Sequence, residues 1–197
     1  MADVTIQEKY HDGNPVVRYL LNRFFGRIRE AVRVAAPVTV LDAGCGEGEL
    51  IRRGVLPAGL RVTSLDLRPE ALALFRAHAG PRALVCGSVQ ALPFEDRSMD
   101  AVLCLEVLEH LERPELALAE LARVSRGAVI LSVPHEPYFQ AGNLVRGKYL
   151  RGWGNHPEHV QHWNPASFEA FLRPVFGQVR LVEAFPWIIA SCRCIAH

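Results

Sequence analysis

With 197 residues, half of them hydrophobic, the chain fits one globular domain with a substantial core. Lysine plus arginine number 22 against 21 aspartate plus glutamate, so no global field draws the chain to nucleic acid or to a membrane surface. The opening MADVTIQEKYHDG lacks the apolar core of a signal peptide, and no later run approaches the roughly 20 apolar residues of a membrane span, so the expected location is cytoplasmic.

Residues 15–36 set Val16, Val17, Leu20, Leu21, Phe24, Ile28 and Val32 at helical spacing, with Arg18, Arg23, Arg27 and Arg29 around them. Asn14 and Pro15 read as an N-cap and first-turn pair. Strand-like runs follow at 38–42, 61–66, 82–86, 101–105 and 128–133, with helical stretches near 47–53, 69–79 and 114–124. Apolar strands alternating with helices predict an α/β fold whose parallel sheet is covered on both faces. Ligands of such sheets bind at the carboxyl ends of the strands, where Asp42, Asp66 and Glu106 fall.

Between residues 134 and 165 there is no clean period, and the segment is rich in Gly, His, Tyr, Trp and Arg, which predicts a substrate loop or lid. At the end the rhythm changes. Runs 178–183 and 187–195 are joined through Phe185 and Pro186 with no helix between them, which predicts an antiparallel pair. Residues 1–197 are therefore read as a single domain, with a helical cap over 1–36 and an insertion over 134–165. Cys45, Cys86, Cys104, Cys192 and Cys194 lie mostly in apolar runs, and their odd number argues for reduced core residues rather than a disulfide framework.

The stretch VLDAGCGEGEL at 40–50 runs a strand into Asp42 and a loop containing Gly44, Gly46 and Gly48, and VTSLDL at 62–67 ends a second strand in Asp66. That order describes a nucleoside pocket. Glycines let a loop lie against a ligand where a Cβ would clash, and an acid at the next strand's tip can grip ribose hydroxyls. The alternatives are a plain strand-to-helix turn, and an Asp66 that caps the helix starting near Pro69. A dinucleotide GxGxxG fingerprint would need glycine where Glu49 stands. Glu47 and Glu49 surround the loop with acid, which suits a cationic or zwitterionic ligand better than a pyrophosphate.

Together with CGSVQALPFEDRSMDAVLCLEVLEHL and the helix-free final strand pair, these motifs resemble the class I S-adenosylmethionine-dependent methyltransferases of the type 11/12 group, over residues 38–133. The resemblance implies a Rossmann-like three-layer sandwich, with a mostly parallel seven-stranded sheet and an antiparallel last strand. It implies S-adenosylmethionine as cofactor. The loop of Asp42, Gly44, Cys45, Gly46 and Gly48 would hold the methionine part, Asp66 the ribose hydroxyls, Leu67 one face of the adenine, and Ser88 and Val89 the adenine edge. Glu106 would help shape the donor site. Ser88 stands where the family often has aspartate, and its alternative reading is a solvated loop hydroxyl.

Glu106, Glu109 and His110 lie in LEVLEHL, and a helical turn there would put all three side chains on one face. GNHPEHVQHW later supplies His156, His159 and His162. Carboxylates and an imidazole from one segment, plus an imidazole from a distant loop, form a candidate divalent-metal site. A similar arrangement occurs in the small-RNA 2′-O-methyltransferases, and a related cluster in the O-methyltransferases of ubiquinone synthesis. By that resemblance Glu106, Glu109, His110 and His159 would be the ligands, lowering the pKa of a hydroxyl nucleophile. Without a metal, His110 or His159 would act as general base. The structural alternative is that the His packs locally, HPEH is a turn and Trp163 fills the core.

Arg146, Lys148 and Arg151, with Tyr149 and Trp153 interleaved, form a basic aromatic run that can meet an anion and stack on a ring, or remain a solvated loop. A net charge of +1 points to a small-molecule acceptor, anionic or aromatic, before nucleic acid. The expected reaction is in-line methyl transfer, preferentially to oxygen, with the segment around Tyr10 closing over the donor. The rival readings are an RNA 2′-O-methyltransferase, a dinucleotide oxidoreductase, and a donor-binding module without turnover.

Overall fold

Proline's fixed φ suits the first turn of a helix, and its missing N–H is not needed there. In the computed structural model, which describes residues 14–80, 82–136 and 160–194, four helices open on one: α1 (Pro15–Ala35), α3 (Pro69–Ala79), α4 (Pro114–Val124) and α5 (Pro165–Leu172). A short α2 (Glu49–Arg52) follows the glycine loop, and Leu108–His110 forms a single 3₁₀ turn. As the sequence predicts, the Asn14 side chain caps α1, accepting from Val16 N–H at 2.9 Å.

The strands are β1 (Thr39–Ala43), β2 (Arg61–Asp66), β3 (Ala83–Cys86), β4 (Met99–Leu105), β5 (Ser125–Pro134), β6 (Phe176–Ala184) and β7 (Trp187–Cys194). They form one sheet in the order β3-β2-β1-β4-β5-β7-β6. β7 runs antiparallel to both its neighbours and every other pair is parallel, so the expected terminal antiparallel pair is present.

Strand periodicity sorts the core into two faces. Leu41, Val102, Val129, Leu131 and Ile188 point to the side covered by α4 and α5, with Leu118, Leu121, Phe168 and Leu172 opposite them. Val40, Leu103, Ile130 and Ile189 point to the side covered by α1, where Phe24, Ile28 and Val32 are buried. Helix α1 thus packs on one face of the sheet. The chain's cysteines are free, with Cys45, Cys104 and Cys192 buried as expected, while Cys86 is exposed.

Helix α5 was not evident from the sequence pattern. Its start is an Asn164–Ser167 capping box in which Asn164 Oδ1 accepts from Ser167 N–H at 2.9 Å and Ser167 Oγ accepts from Asn164 N–H at 3.0 Å. At the amino end of the sheet, Asp100 Oδ2 accepts from the Val38 and Thr39 N–H groups at 3.0 and 2.8 Å, and Oδ1 pairs with Arg126 at 2.6 Å. Arg126 and the Thr39 bonds hold the Asp100 carboxyl well below the usual carboxylate range. Among the described residues, no helix is long and apolar enough to cross a membrane.

Candidate active site

The strand order reverses beside β1, whose neighbours are β2 and β4, and ligands of such sheets bind at this switch point, outside the carboxyl ends of the strands. The loop after β1 is tied to β2 there: Gly44 and Cys45 N–H donate to Leu65 O at 2.7 and 2.9 Å, and Gly46 N–H donates to Asp66 Oδ2 at 2.7 Å. Asp66 is 7% exposed, and its Oδ1 accepts from Arg68 N–H at 2.9 Å. The capping alternative is corrected in detail: Arg68 is the N-cap of α3 and makes no side-chain cap bond, while Asp66 braces the glycine loop. An ionised carboxylate offers about four acceptor sites, so these two bonds leave capacity for further donors.

The glycines also have a cause within the protein itself. At Gly44, φ is +83° and an added Cβ would lie 2.4 Å from Val107 Cγ2; at Gly48, φ is +82° and a Cβ would meet the Phe75 ring at 2.5 Å. Both positions need glycine because the protein's own side chains, from the turn after β4 and from α3, press against the loop. The cradle is shaped from behind.

This loop holds buried acid. Asp42 is 3% exposed, and its Oδ2 has no hydrogen-bond partner in the structure. Burial, and then the neighbouring Asp66 carboxylate, push the Asp42 carboxyl up to about 7. Glu47 Oε2 is likewise a buried oxygen with no partner. Burial and the same aspartates raise the Cys45 thiol far above its ordinary range, so Cys45 serves as packing rather than as a nucleophile.

On the far side of the loop, Leu67 is a large apolar side chain left 67% exposed immediately after Asp66. Val89 is buried, and the half-buried Ser88 accepts from Gln90 N–H at 3.1 Å through its hydroxyl.

The acid and histidine cluster is arranged differently from its expected helical face. Glu106 leaves β4 with φ +57°, outside any helix, and only Leu108–His110 makes a turn. Glu106 Oε1 accepts from Ser132 Oγ at 2.8 Å and Oε2 from Trp187 Nε1 at 2.7 Å. Glu109 is 1% exposed, and His110 Nε2 lies 3.9 Å from its Oε1 on a half-buried side chain. Among the described residues, no three His, Cys, Asp or Glu side chains are grouped to hold a metal ion. His159, the fourth candidate ligand and second candidate base, lies outside the described residues, as do His156, Arg146, Lys148, Tyr149, Arg151, Trp153 and Tyr10.

Described residues on either side of 137–159 are held by backbone hydrogen bonds. Val160 and Gln161 N–H donate to Glu109 O at 2.8 and 3.1 Å, and Glu136 N–H donates to Trp163 O at 2.9 Å. Trp163 is buried against Phe168 and Phe171, as the structural alternative expected. Sequence reading passed over His135, 8% exposed with Nδ1 4.0 Å from Glu183 Oε2, and over Ser132 and Trp187. The signal available for His135 was its place directly after the fifth strand, in PHEP.

Sheet order and the glycine loop after β1 define a Rossmann-like α/β fold. A family model described as "Methyltransferase domain" matches residues 41–132. A ubiquinone biosynthesis O-methyltransferase of Xanthomonas oryzae is 31% identical over 168 residues, covering 77% of this chain and 69% of that protein. In fold, the chain is similar to a Pyrococcus horikoshii protein (TM-score 0.73, 17% identity, 95% of each chain). It is also similar to the magnesium protoporphyrin IX methyltransferase of Synechocystis solved with bound SAH (TM-score 0.69, 18% identity, 95% of this chain and 92% of that one). The chain belongs to the class I S-adenosylmethionine-dependent methyltransferases.

Proposed function

We propose that this protein transfers the methyl group of S-adenosylmethionine to an oxygen atom of a small acceptor with aromatic or anionic character. The observation that carries the reading is the buried, unpartnered Asp42 Oδ2 at the start of the glycine loop. A buried carboxylate oxygen without a donor is costly, and an ammonium group on the ligand relieves that cost. Glu47 Oε2 offers a second such acceptor. Asp66, Leu67 and the Ser88–Val89 pair then take the ribose, one adenine face and the adenine edge. The exposed Leu67 offers an apolar platform.

When bound, the donor supplies a methyl carbon on a sulfonium that leaves as a neutral thioether. The chain's task is alignment, since a well-oriented attack removes much of the barrier. In-line transfer of that methyl to the acceptor oxygen would release the acceptor proton to a base of the chain. His110, beside the buried Glu109 at the rim, takes that role among the described residues. Similarity to an O-methyltransferase of ubiquinone biosynthesis supports oxygen as the accepting atom. A net charge of +1 supports a small molecule over nucleic acid.

Radiolabelled methyl transfer to a panel of catechols and aromatic carboxylates, with a short RNA as a separate arm, tests this reading. Label is expected in the small-molecule arm. Label in RNA alone, or donor binding without turnover in any arm, contradicts it.

A further inference from the structure

Glu106 is conformationally out of place. A left-handed residue with a side chain costs roughly 1 kcal/mol or more, and such a conformation persists only where its surroundings over-determine it. Here the surroundings are specific. Glu106 N–H donates to both the carbonyl and the Oγ of Ser132 at 3.1 Å, Ser132 Oγ donates back to Oε1 at 2.8 Å, and Trp187 Nε1 donates to Oε2 at 2.7 Å. Ser132 is fully buried and Trp187 is 8% exposed, so these bonds form away from competing water. An indole N–H can only donate, and it finds a carboxylate, a stronger acceptor than a neutral one.

The network reaches in two directions. Trp187 opens β7 opposite Pro134 at the end of β5, and its ring lies 4.8 Å from Phe24 of α1. On the other side, the residue after Glu106 is Val107, whose Cγ2 fills the space a Gly44 Cβ would need. The direction in which the chain leaves Glu106 therefore decides how Val107 presses on the donor loop.

We propose that Glu106 is a positioning residue of the donor site, oriented by the indole N–H of Trp187 and the hydroxyl of Ser132, so that β5 and β7 set the flank of the glycine loop. This rests on the donor-site reading above. Glu106 then acts on the donor through Val107 and Gly44 instead of through a contact of its own. Trp187, hydrogen-bonded to that carboxylate, reports donor binding in its fluorescence.

The test is calorimetry with S-adenosylhomocysteine, together with tryptophan emission, on the wild type and on Trp187→Phe, Ser132→Ala, Glu106→Ala and Glu106→Gln. Trp187→Phe keeps an aromatic ring, smaller than the indole, and removes the Nε1–H donor, so affinity is expected to fall about tenfold. Ser132→Ala is expected to fall similarly, Glu106→Ala further, and Glu106→Gln to recover most of the loss, because its amide can accept from Trp187 and donate to Ser132. The emission change on binding is expected to persist in Trp163→Phe and vanish in Trp187→Phe. Wild-type affinity in both Trp187→Phe and Ser132→Ala overturns the proposal, as does equal loss in Glu106→Gln and Glu106→Ala at matched melting temperatures. Absence of binding to the wild type overturns the donor-site reading itself, and is thereby distinguished.

Discussion

Gly46 donates its backbone N–H to the Asp66 carboxylate at 2.7 Å, across 20 residues of sequence. The acid at the tip of β2 is therefore a structural partner of the glycine loop as well as the residue proposed to meet a ribose. In that proposal binding is coupled to loop order through one carboxylate, so changes at either partner should move both.

Gly44→Ala should expose that coupling. The new Cβ would fall 2.4 Å from Val107 Cγ2 at a φ of +83°. Overpacking and the left-handed backbone together should cost roughly 2–4 kcal/mol of stability. Differential scanning fluorimetry should show a lower melting temperature, and S-adenosylhomocysteine affinity should fall at least tenfold. Adding Val107→Ala should restore part of the stability by relieving the clash, since only the backbone term remains.

Asp42→Asn should separate stability from binding, and its effect should depend on pH. The Asp42 carboxyl ionises near 7 in the folded protein against 3.8 as its ordinary value. The folded state thus holds the proton more tightly, and the stability this confers is present below about pH 4 and lost as pH rises through about 7. The ionised carboxylate then costs on the order of 4 kcal/mol. Removing the charge should raise the melting temperature of the ligand-free protein at pH 8 and give little gain at pH 4. Donor affinity should fall in the variant, and in the wild type it should weaken as pH drops below about 7, because a cationic group must displace the proton.

Gly127→Ala probes the opposite end of the sheet. Its Cβ would lie 2.3 Å from the Asp100 carbonyl oxygen, a backbone atom that cannot swing aside. A loss of roughly 1–3 kcal/mol in denaturant melts is expected, with no change in S-adenosylhomocysteine affinity below the unfolding transition. A matching loss of affinity would show that the two ends of the sheet are not independent.

Much of this molecule was legible from residue types. Helices over 69–79 and 114–124 fell where expected because Pro69 and Pro114 fix their starts. The β6–β7 pair was visible because a chain that turns at Phe185 and Pro186, with no room for a crossover helix, must run antiparallel. The glycine loop and Asp66 stood out because their order along the chain is also their order in space. Glu106 stands out in the sequence as a candidate site residue, but its partners do not: Trp187 lies 81 residues away and meets it only because β7 inserts beside β5. The expected single face for Glu106, Glu109 and His110 failed because a left-handed residue broke the helical spacing before it began. The steric need for glycine at positions 44 and 48 was hidden for a similar reason, since Val107 and Phe75 come from elements whose approach no local pattern records.

Isothermal titration calorimetry with S-adenosylhomocysteine on the wild type and on Asp66→Ala tests the donor site most directly. Binding to the wild type is expected, with affinity at least a hundredfold weaker in the variant, equivalent to about 2.7 kcal/mol or more. Equal affinity in the two proteins, or no binding to the wild type, would contradict it.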